Sequence, residues 1–440
     1  MASPPIPNPQ SPTPHYDPVQ SRLDALFGPE FGHGKAIGAD ALRDALRALG
    51  DPQERLPPVI HVAGTNGKGS TIAFMRAMAE EAGLDVHVFS KPHLFRLNER
   101  FVVASEEARD DALIVAAERV AKVGAELTQF DAQVAAAFLL FCETPADLVL
   151  LETGMGGRDD STNVIAHPAV TVIAPIGLDH QDVLGPSLPE IAAHKAGILK
   201  HGAPAVIARQ QDEAREVIEA TAERVGAPLF RCGVEWDAYA HAGRLVVQTE
   251  TRALDLPLPA LFGAHQIDNA GLACAALLQW RALRDEAFAR GVASAQWPAR
   301  LQPLTRGPFS APIRAIGGEV WVDGGHNAHG AAALREALNA MQRRRAAPVV
   351  AIVGMQARKQ MDDFVGALAG GVDRIIGVPL DAPHIAPDMI AAVAQIVGVE
   401  GETAPSLEAA MQNAAQFPAP RVLITGSFLL AAEALRLESA

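Results

Sequence analysis

Short, unbroken apolar runs recur along the chain, and Ala- and Leu-rich stretches with helical spacing lie between them. Residues 57–60, 86–89, 146–151, 169–173 and 204–208 read as strands. Continuous apolar runs, rather than alternating ones, suit strands covered on both faces. Residues 71–78, 131–142 and 188–199 read as helices, and 40–50 places Leu42, Ala45, Leu46 and Leu49 on one helical face. Strands alternating with helices predict an α/β fold with a mostly parallel sheet, and ligands bind such sheets beyond the carboxyl ends of the strands. The stretch 229–258 breaks the pattern, and Leu245-Val246-Val247-Gln248-Thr249 predicts a small antiparallel excursion. After a helix over 266–283 the pattern restarts, with strands at 320–323, 349–353, 374–378 and 422–425. The expected division is a tail over 1–20, a larger domain over 21–295 and a smaller Rossmann-like α/β domain over 296–440.

Composition narrows the class. At 440 residues, 49% of them hydrophobic, the chain can bury more than one core. Polar residues interrupt every apolar run well short of the ~18 residues a membrane span needs. Residues 1–20 are Pro-rich and polar, without a basic start or an apolar core, so a disordered tail is expected rather than a signal peptide. Cys142, Cys232 and Cys274 are odd in number and scattered among apolar or small residues, which favours buried thiols over a disulfide framework or a zinc site. The net charge of −14 argues against nucleic acid or an anionic membrane as partner. An anionic substrate would need a local cluster of cations. These features fit a cytoplasmic protein.

The most specific chemistry lies at His61-Val62-Ala63-Gly64-Thr65-Asn66-Gly67-Lys68-Gly69-Ser70, between a predicted strand and a predicted helix. Backbone amides in a Gly-rich turn and the following helix N-terminus converge on an anion, and Lys68 adds a full charge. Ser70 offers a hydroxyl to Mg²⁺ or phosphate. The segment departs from the common G-x-x-x-x-G-K-[ST] loop, because Gly69 separates Lys68 from Ser70. A nucleotide triphosphate is the expected ligand.

Glu152 ends another predicted strand and opens into Gly154-Met155-Gly156-Gly157. Such a carboxylate can hold Mg²⁺ on phosphates, or it can cap a turn. His180, in Gly177-Leu178-Asp179-His180, also follows a strand; alone it reads as structural, but beside Glu152 and a phosphate loop a metal or substrate role fits better. Lys195 lies late in a helix and, on physics alone, reads as a solvated surface lysine.

Together the segments 61–70, 92–94, 151–163, 176–200, 263–270, 297–301, 323–327 and 425–427 resemble folylpolyglutamate synthase/dihydrofolate synthase, a branch of the Mur ligase superfamily, over about residues 51–430. The resemblance implies a ligase that adds L-glutamate to dihydropteroate, and to tetrahydrofolate and its polyglutamates, through an acyl phosphate. It implies that Gly64, Thr65, Asn66, Gly67, Lys68, Gly69 and Ser70 hold ATP, with Asn269 beside the adenine and Arg300 reaching the phosphates from a hinge. Glu152, His180, Ser70 and a carbamylated Lys195 would serve Mg²⁺. Asp323, His326 and Ser427 would handle nucleotide and glutamate, and Thr128, Phe130 and Asp160 the pterin. Phe130 reads equally as a stacking platform and as a core residue. The family habit is a monomer.

Three departures stand out. Lys91 occupies the place of a metal-ligating Ser before Pro92-His93-Leu94, so either Ser90 takes over or Lys91 contacts a phosphate directly. Arg358 replaces an Asp. Ala299 replaces a hinge Gly, which is tolerable if its φ is negative. A monofunctional polyglutamate synthase and a nucleotide-binding paralogue without ligase activity are the competing expectations.

Overall fold

The computed structural model describes residues 17–30 and 39–440. The largest sheet contains β1 (Val59–Ala63), β2 (Val86–Phe89), β3 (Phe101–Val103), β4 (Glu106–Glu107), β5 (Leu148–Glu152), β6 (Val170–Ile173), β7 (Ala205–Ile207) and β8 (Leu229–Arg231). Their order is β4-β3-β2-β5-β1-β6-β7-β8, parallel from β2 to β8 and antiparallel at the β2–β3–β4 edge. Strands β1, β2, β5, β6 and β7 are buried along their whole length, which explains their unbroken apolar character. Ile60 and Val62 join one core with the helices Lys68–Glu81 and His265–Trp280. Val59 joins the opposite core with Gln129–Glu143.

Strand β1 sits between β5 and β6, with Val62 opposite Glu152 and Ala63 opposite Ile173. Three strand ends therefore finish side by side, and the loops after them open onto one crevice. The antiparallel excursion is present as β9 (Trp236–His241), β10 (Arg244–Thr249) and β11 (Ala253–Pro257). Its alternating Trp236, Ala238, Leu245, Val247, Leu254 and Leu256 pack into the first core.

The second large sheet contains β12 (Gln302–Leu304), β13 (Glu319–Val322), β14 (Val349–Val353), β15 (Arg374–Gly377), β16 (Glu400–Thr403) and β17 (Arg421–Thr425). The order is β12-β13-β17-β14-β15-β16, parallel except for β12. Strands β13, β17 and β14 again end together, presenting Asp323, Ser427 and the 354–359 loop.

One expectation changes. Residues 1–16 lie outside the described residues, but Pro18–Phe27 is a helix that begins inside the expected tail. The Asp17 carboxylate accepts from the amides of Val19 and Gln20 at 2.9 and 3.0 Å, Pro18 takes the first helical position, and Val19 and Leu23 are buried. Among the described residues, no helix is long and apolar enough to cross a membrane.

Candidate active site

The phosphate loop leads from β1 into the helix Lys68–Glu81, with Gly67 at the N-cap in a left-handed conformation (φ 87°). A Cβ on Gly67 would lie 2.4 Å from Oδ1 of Asn269, and one on Gly69 would lie 2.8 Å from the Trp297 ring. Both close approaches require glycine, and they leave the first-turn amides free for an anion. Lys68 Nζ donates to the carbonyls of Gly64 and Thr65 at 3.1 and 3.2 Å and stands 3.7 Å from Glu152 Oε1. Thr65 fastens the loop to the one after β6: its hydroxyl donates to Gly177 O at 2.9 Å and accepts from Gly177 N at 3.0 Å. Asn269 donates to Gln266, whose amide reaches Ser70 Oγ at 3.4 Å.

Glu152 is buried at the end of β5. Desolvation raises its pKa against the opposing pull of Lys68. Lys195 is also buried, not the solvated lysine that physics alone suggested, and donates to Gly64 O at 2.9 Å. Burial, reinforced by Lys68, pushes its ammonium down to about 7. His180 lies at the crevice mouth with φ 52°, and desolvation lowers its imidazole to about 4. Beside it, burial works to raise the Asp179 pKa. The nearby His326 ring and the charges of His180 and Lys359 outweigh that effect and hold it well below the usual carboxylate range.

The second sheet closes over this crevice. Asn327 Nδ2 donates to Asp179 Oδ2 at 2.9 Å, and Lys359 Nζ donates to Asp179 Oδ1 at 3.1 Å. His326 Nε2 lies 3.6 Å from Asp179 Oδ2. Asn66 donates to His329 Nδ1 at 2.9 Å. The carboxylate oxygens of Asp323 accept from the backbone amides of Leu301 and Gly325 at 2.8 and 2.7 Å, so Asp323 braces the segment carrying Arg300. The Arg300 guanidinium lies 4.8 Å from the centroid of Phe428, whose ring also meets His326 edge-on at 5.8 Å. Ser427 accepts from Leu430 N at 3.1 Å and caps the helix Phe428–Ser439. The condition set for Ala299 is not met: its φ is +56°, and Leu301 is left-handed too, at +41°. The hinge thus holds Arg300 between two residues in a conformation that costs an L-residue energy.

The residues expected on the pterin side form a separate cluster. Thr128 and Asp131 make a capping box at the helix Gln129–Glu143, and the other Asp131 oxygen accepts from Ser161 Oγ at 2.6 Å. Asp160 accepts from Thr162 and from Met155 N. Their side chains therefore shape the loops before they touch any ligand. Phe130 is part-buried, 5.9 Å from Phe89, and occupies the space that a side chain on Gly154 would need. Ser90 is buried, and Lys91 turns its ammonium over the Phe130 ring at 4.6 Å. Arg358 is exposed beside Lys359.

Residues 62–277 match the Mur ligase middle domain model, and 312–428 match the Mur ligase glutamate ligase domain model. The Bacillus subtilis dihydrofolate synthase/folylpolyglutamate synthase is 37% identical over 326 residues, which cover 69% of this chain and 73% of that protein. The chain belongs to the dihydrofolate synthase/folylpolyglutamate synthase family. Within that family, the structure of E. coli FolC in complex with DHPP and ADP matches with a TM-score of 0.85 and 30% identity, covering 97% of this chain and 99% of that one. A bifunctional folylpolyglutamate synthase/dihydrofolate synthase with Mn, AMPPNP and L-glutamate bound matches at 0.84 and 29% identity, covering 98% and 100%.

The donor set fits a divalent ion carried by nucleotide phosphates. Among the described residues, no three His, Cys, Asp or Glu side chains converge as a metal cage. One buried carboxylate, Glu152, faces the phosphate loop beside the Ser70 helix, and Mg²⁺ characteristically takes one or two protein carboxylates plus phosphate oxygens. The sequence did not single out Asn66–Asn327, Asp179–Lys359 or Phe428 as partners. Asp179 lies within the Gly177–His180 segment and Lys359 next to Arg358, but only tertiary pairing gives them a role.

Proposed function

We propose that this chain uses MgATP to join L-glutamate to dihydropteroate, and to tetrahydrofolate and its polyglutamates, in a bifunctional manner. The observation that carries this reading is the two-sided crevice. A phosphate loop with Glu152 and Lys195 lies below, the Asp323, His326 and Ser427 loops close from the second sheet, and a side cluster opens around Phe130. Three reactants need three such walls.

Lys68 and the loop amides hold the triphosphate, Arg300 swings from Phe428 onto it, and Asn269 flanks the adenine. A carboxylate oxygen of the acid attacks the γ-phosphorus as the bond to ADP breaks, which creates a leaving group on the acyl carbon. The amine of glutamate, placed by His326 and Ser427, then adds to that carbon; loss of its proton and departure of phosphate complete the amide. Glu152 and Ser70 would hold Mg²⁺ on the phosphates, with His180 and a carbamylated Lys195 nearby, and the ion would supply charge neutralisation on the transferring phosphoryl group. The lowered pKa of Lys195 supports carbamylation, because CO₂ reacts with the neutral amine.

Phosphate release by purified protein with MgATP and L-glutamate, with dihydropteroate or tetrahydrofolate added separately, tests the reading. Release with both acids is expected. Release with tetrahydrofolate alone would make this a dedicated polyglutamate synthase, and release with neither would overturn the ligase assignment.

A further inference from the structure

Lys91 follows β2, which lies beside β5 in the sheet. Its backbone amide donates to Glu152 Oε2 at 3.2 Å, so the residue is tied to the carboxylate that faces the phosphate loop. Its side chain turns the other way, with Nζ 4.6 Å from the centroid of Phe130. That ring packs across Gly154 at the end of β5, where a Cβ would lie 2.4 Å from the ring. Lys91 therefore stands at the junction between the phosphate site and the aromatic wall.

Among the described residues, the Lys91 ammonium has no hydrogen-bond acceptor and no carboxylate within ion-pair distance. Glu30, Asp160 and Glu152 act on it only at longer range. Desolvation lowers its pKa, opposed by those three carboxylates. Lys91 is half-buried, so its partly desolvated ammonium stays open to water and to a ligand. The Phe130 face gives it one favourable contact, and an anionic oxygen on the ligand would give a stronger one. The triphosphate already has Lys68, the loop amides and Arg300, whereas Lys91 is the cation that stands over the Phe130 ring among the described residues.

We propose that the Lys91 ammonium binds the carboxylate of the acid substrate and holds it at the edge of the phosphate loop. This rests on the ligase reading above. Phe130 supports the aromatic body of the acid, while Lys91 offsets the repulsion between the carboxylate and the γ-phosphate. Lys91 then does by fixed charge what a metal ion cannot do at a lysine.

The test compares wild type with Lys91→Met, Lys91→Gln and Lys91→Arg, each checked for native circular dichroism. It measures KM for dihydropteroate by phosphate release and the Kd of AMPPNP by calorimetry. Loss of one charge-assisted contact should raise KM for the acid about 10- to 100-fold in the neutral variants, with AMPPNP affinity little changed. Lys91→Arg should recover most of the loss, which a purely structural role would not predict. Unchanged KM for the acid, or AMPPNP affinity falling in its place, overturns the proposal. Wild-type protein without acid-dependent turnover removes the functional reading and the proposal with it, whereas active wild type with insensitive variants removes the proposal alone.

Discussion

Asn66 of the phosphate loop and Asn327 of the second sheet exchange side-chain hydrogen bonds: Asn66 Nδ2 donates to Asn327 Oδ1 at 3.0 Å, and Asn327 Nδ2 donates to Asn66 Oδ1 at 3.2 Å. The Gly-rich loop after β1 thus touches the second sheet across the crevice. Asn66→Ala removes both bonds without disturbing the helix cap that Asn327 makes to Gly330. It should lower kcat/KM for ATP about tenfold, with a melting temperature near wild type. Steady-state kinetics and a thermal melt check this.

Asp179 is the second tie between the sheets, through Lys359 and Asn327. Lys359→Met leaves a mostly buried carboxylate with one fewer cation and should cost about 2 kcal/mol in urea unfolding. The pH dependence has a definite sign. A carboxylate whose pKa is depressed on folding contributes stability above its unfolded value of about 3.9. That stability is lost as pH falls toward the lower folded value. Asp179→Asn should therefore narrow its stability gap to wild type as the pH drops below about 4.

The proposed carbamylation of Lys195 predicts a dependence on dissolved CO₂. Its amine is protonated below about 7, where carbamylation fails, and increasingly neutral above it. Enzyme prepared in CO₂-free buffer should lose activity and regain it with bicarbonate. The bicarbonate requirement should rise as pH falls through about 7. Activity indifferent to CO₂ at every pH would remove the carbamate.

Asp323 braces the hinge with both oxygens, on Leu301 N and Gly325 N. Asp323→Asn turns one acceptor into a donor facing an amide. It should cost about 1–3 kcal/mol of stability and raise KM for ATP through a displaced Arg300. Chemical denaturation and ATP titrations read the two effects separately.

Ala299 carries left-handed strain of roughly 1–2 kcal/mol. Ala299→Gly relieves it but gives up a buried methyl, about 0.8 kcal/mol, and adds unfolded-chain entropy of about 0.5–1 kcal/mol. The net change should stay within about 1 kcal/mol, whereas Ala299→Val, β-branched at the same φ, should be clearly less stable.

Local patterns made much of this molecule legible. The unbroken runs at β1, β5 and β6 announced strands buried on both faces, and Gly64 to Ser70 announced an anion site because its chemistry lies in consecutive residues. Asp17-Pro18 carried an equally local helix-start signal that the Pro-rich composition around it masked. What escaped the sequence was non-local. The burial of Lys195 depends on Gly64, the engagement of Asp179 on Lys359, and the use of both Asp323 oxygens on backbone two residues and twenty-two residues away. Thr128 and Asp160, expected at the ligand, also hold loop geometry through their oxygens, a second duty that residue type alone does not reveal.

The insertion of β5 between β1 and β2 also sets a timetable for synthesis. A ribosome-bound chain that has released β1 and the phosphate loop still lacks the neighbouring strand that carries Glu152, and it lacks the helix bearing Lys195 for longer still. The proposed nucleotide site is thus complete only once the long crossover has placed β5 between β1 and β2. The emerging loop spends that interval without the carboxylate proposed to help it retain a metal-bound nucleotide.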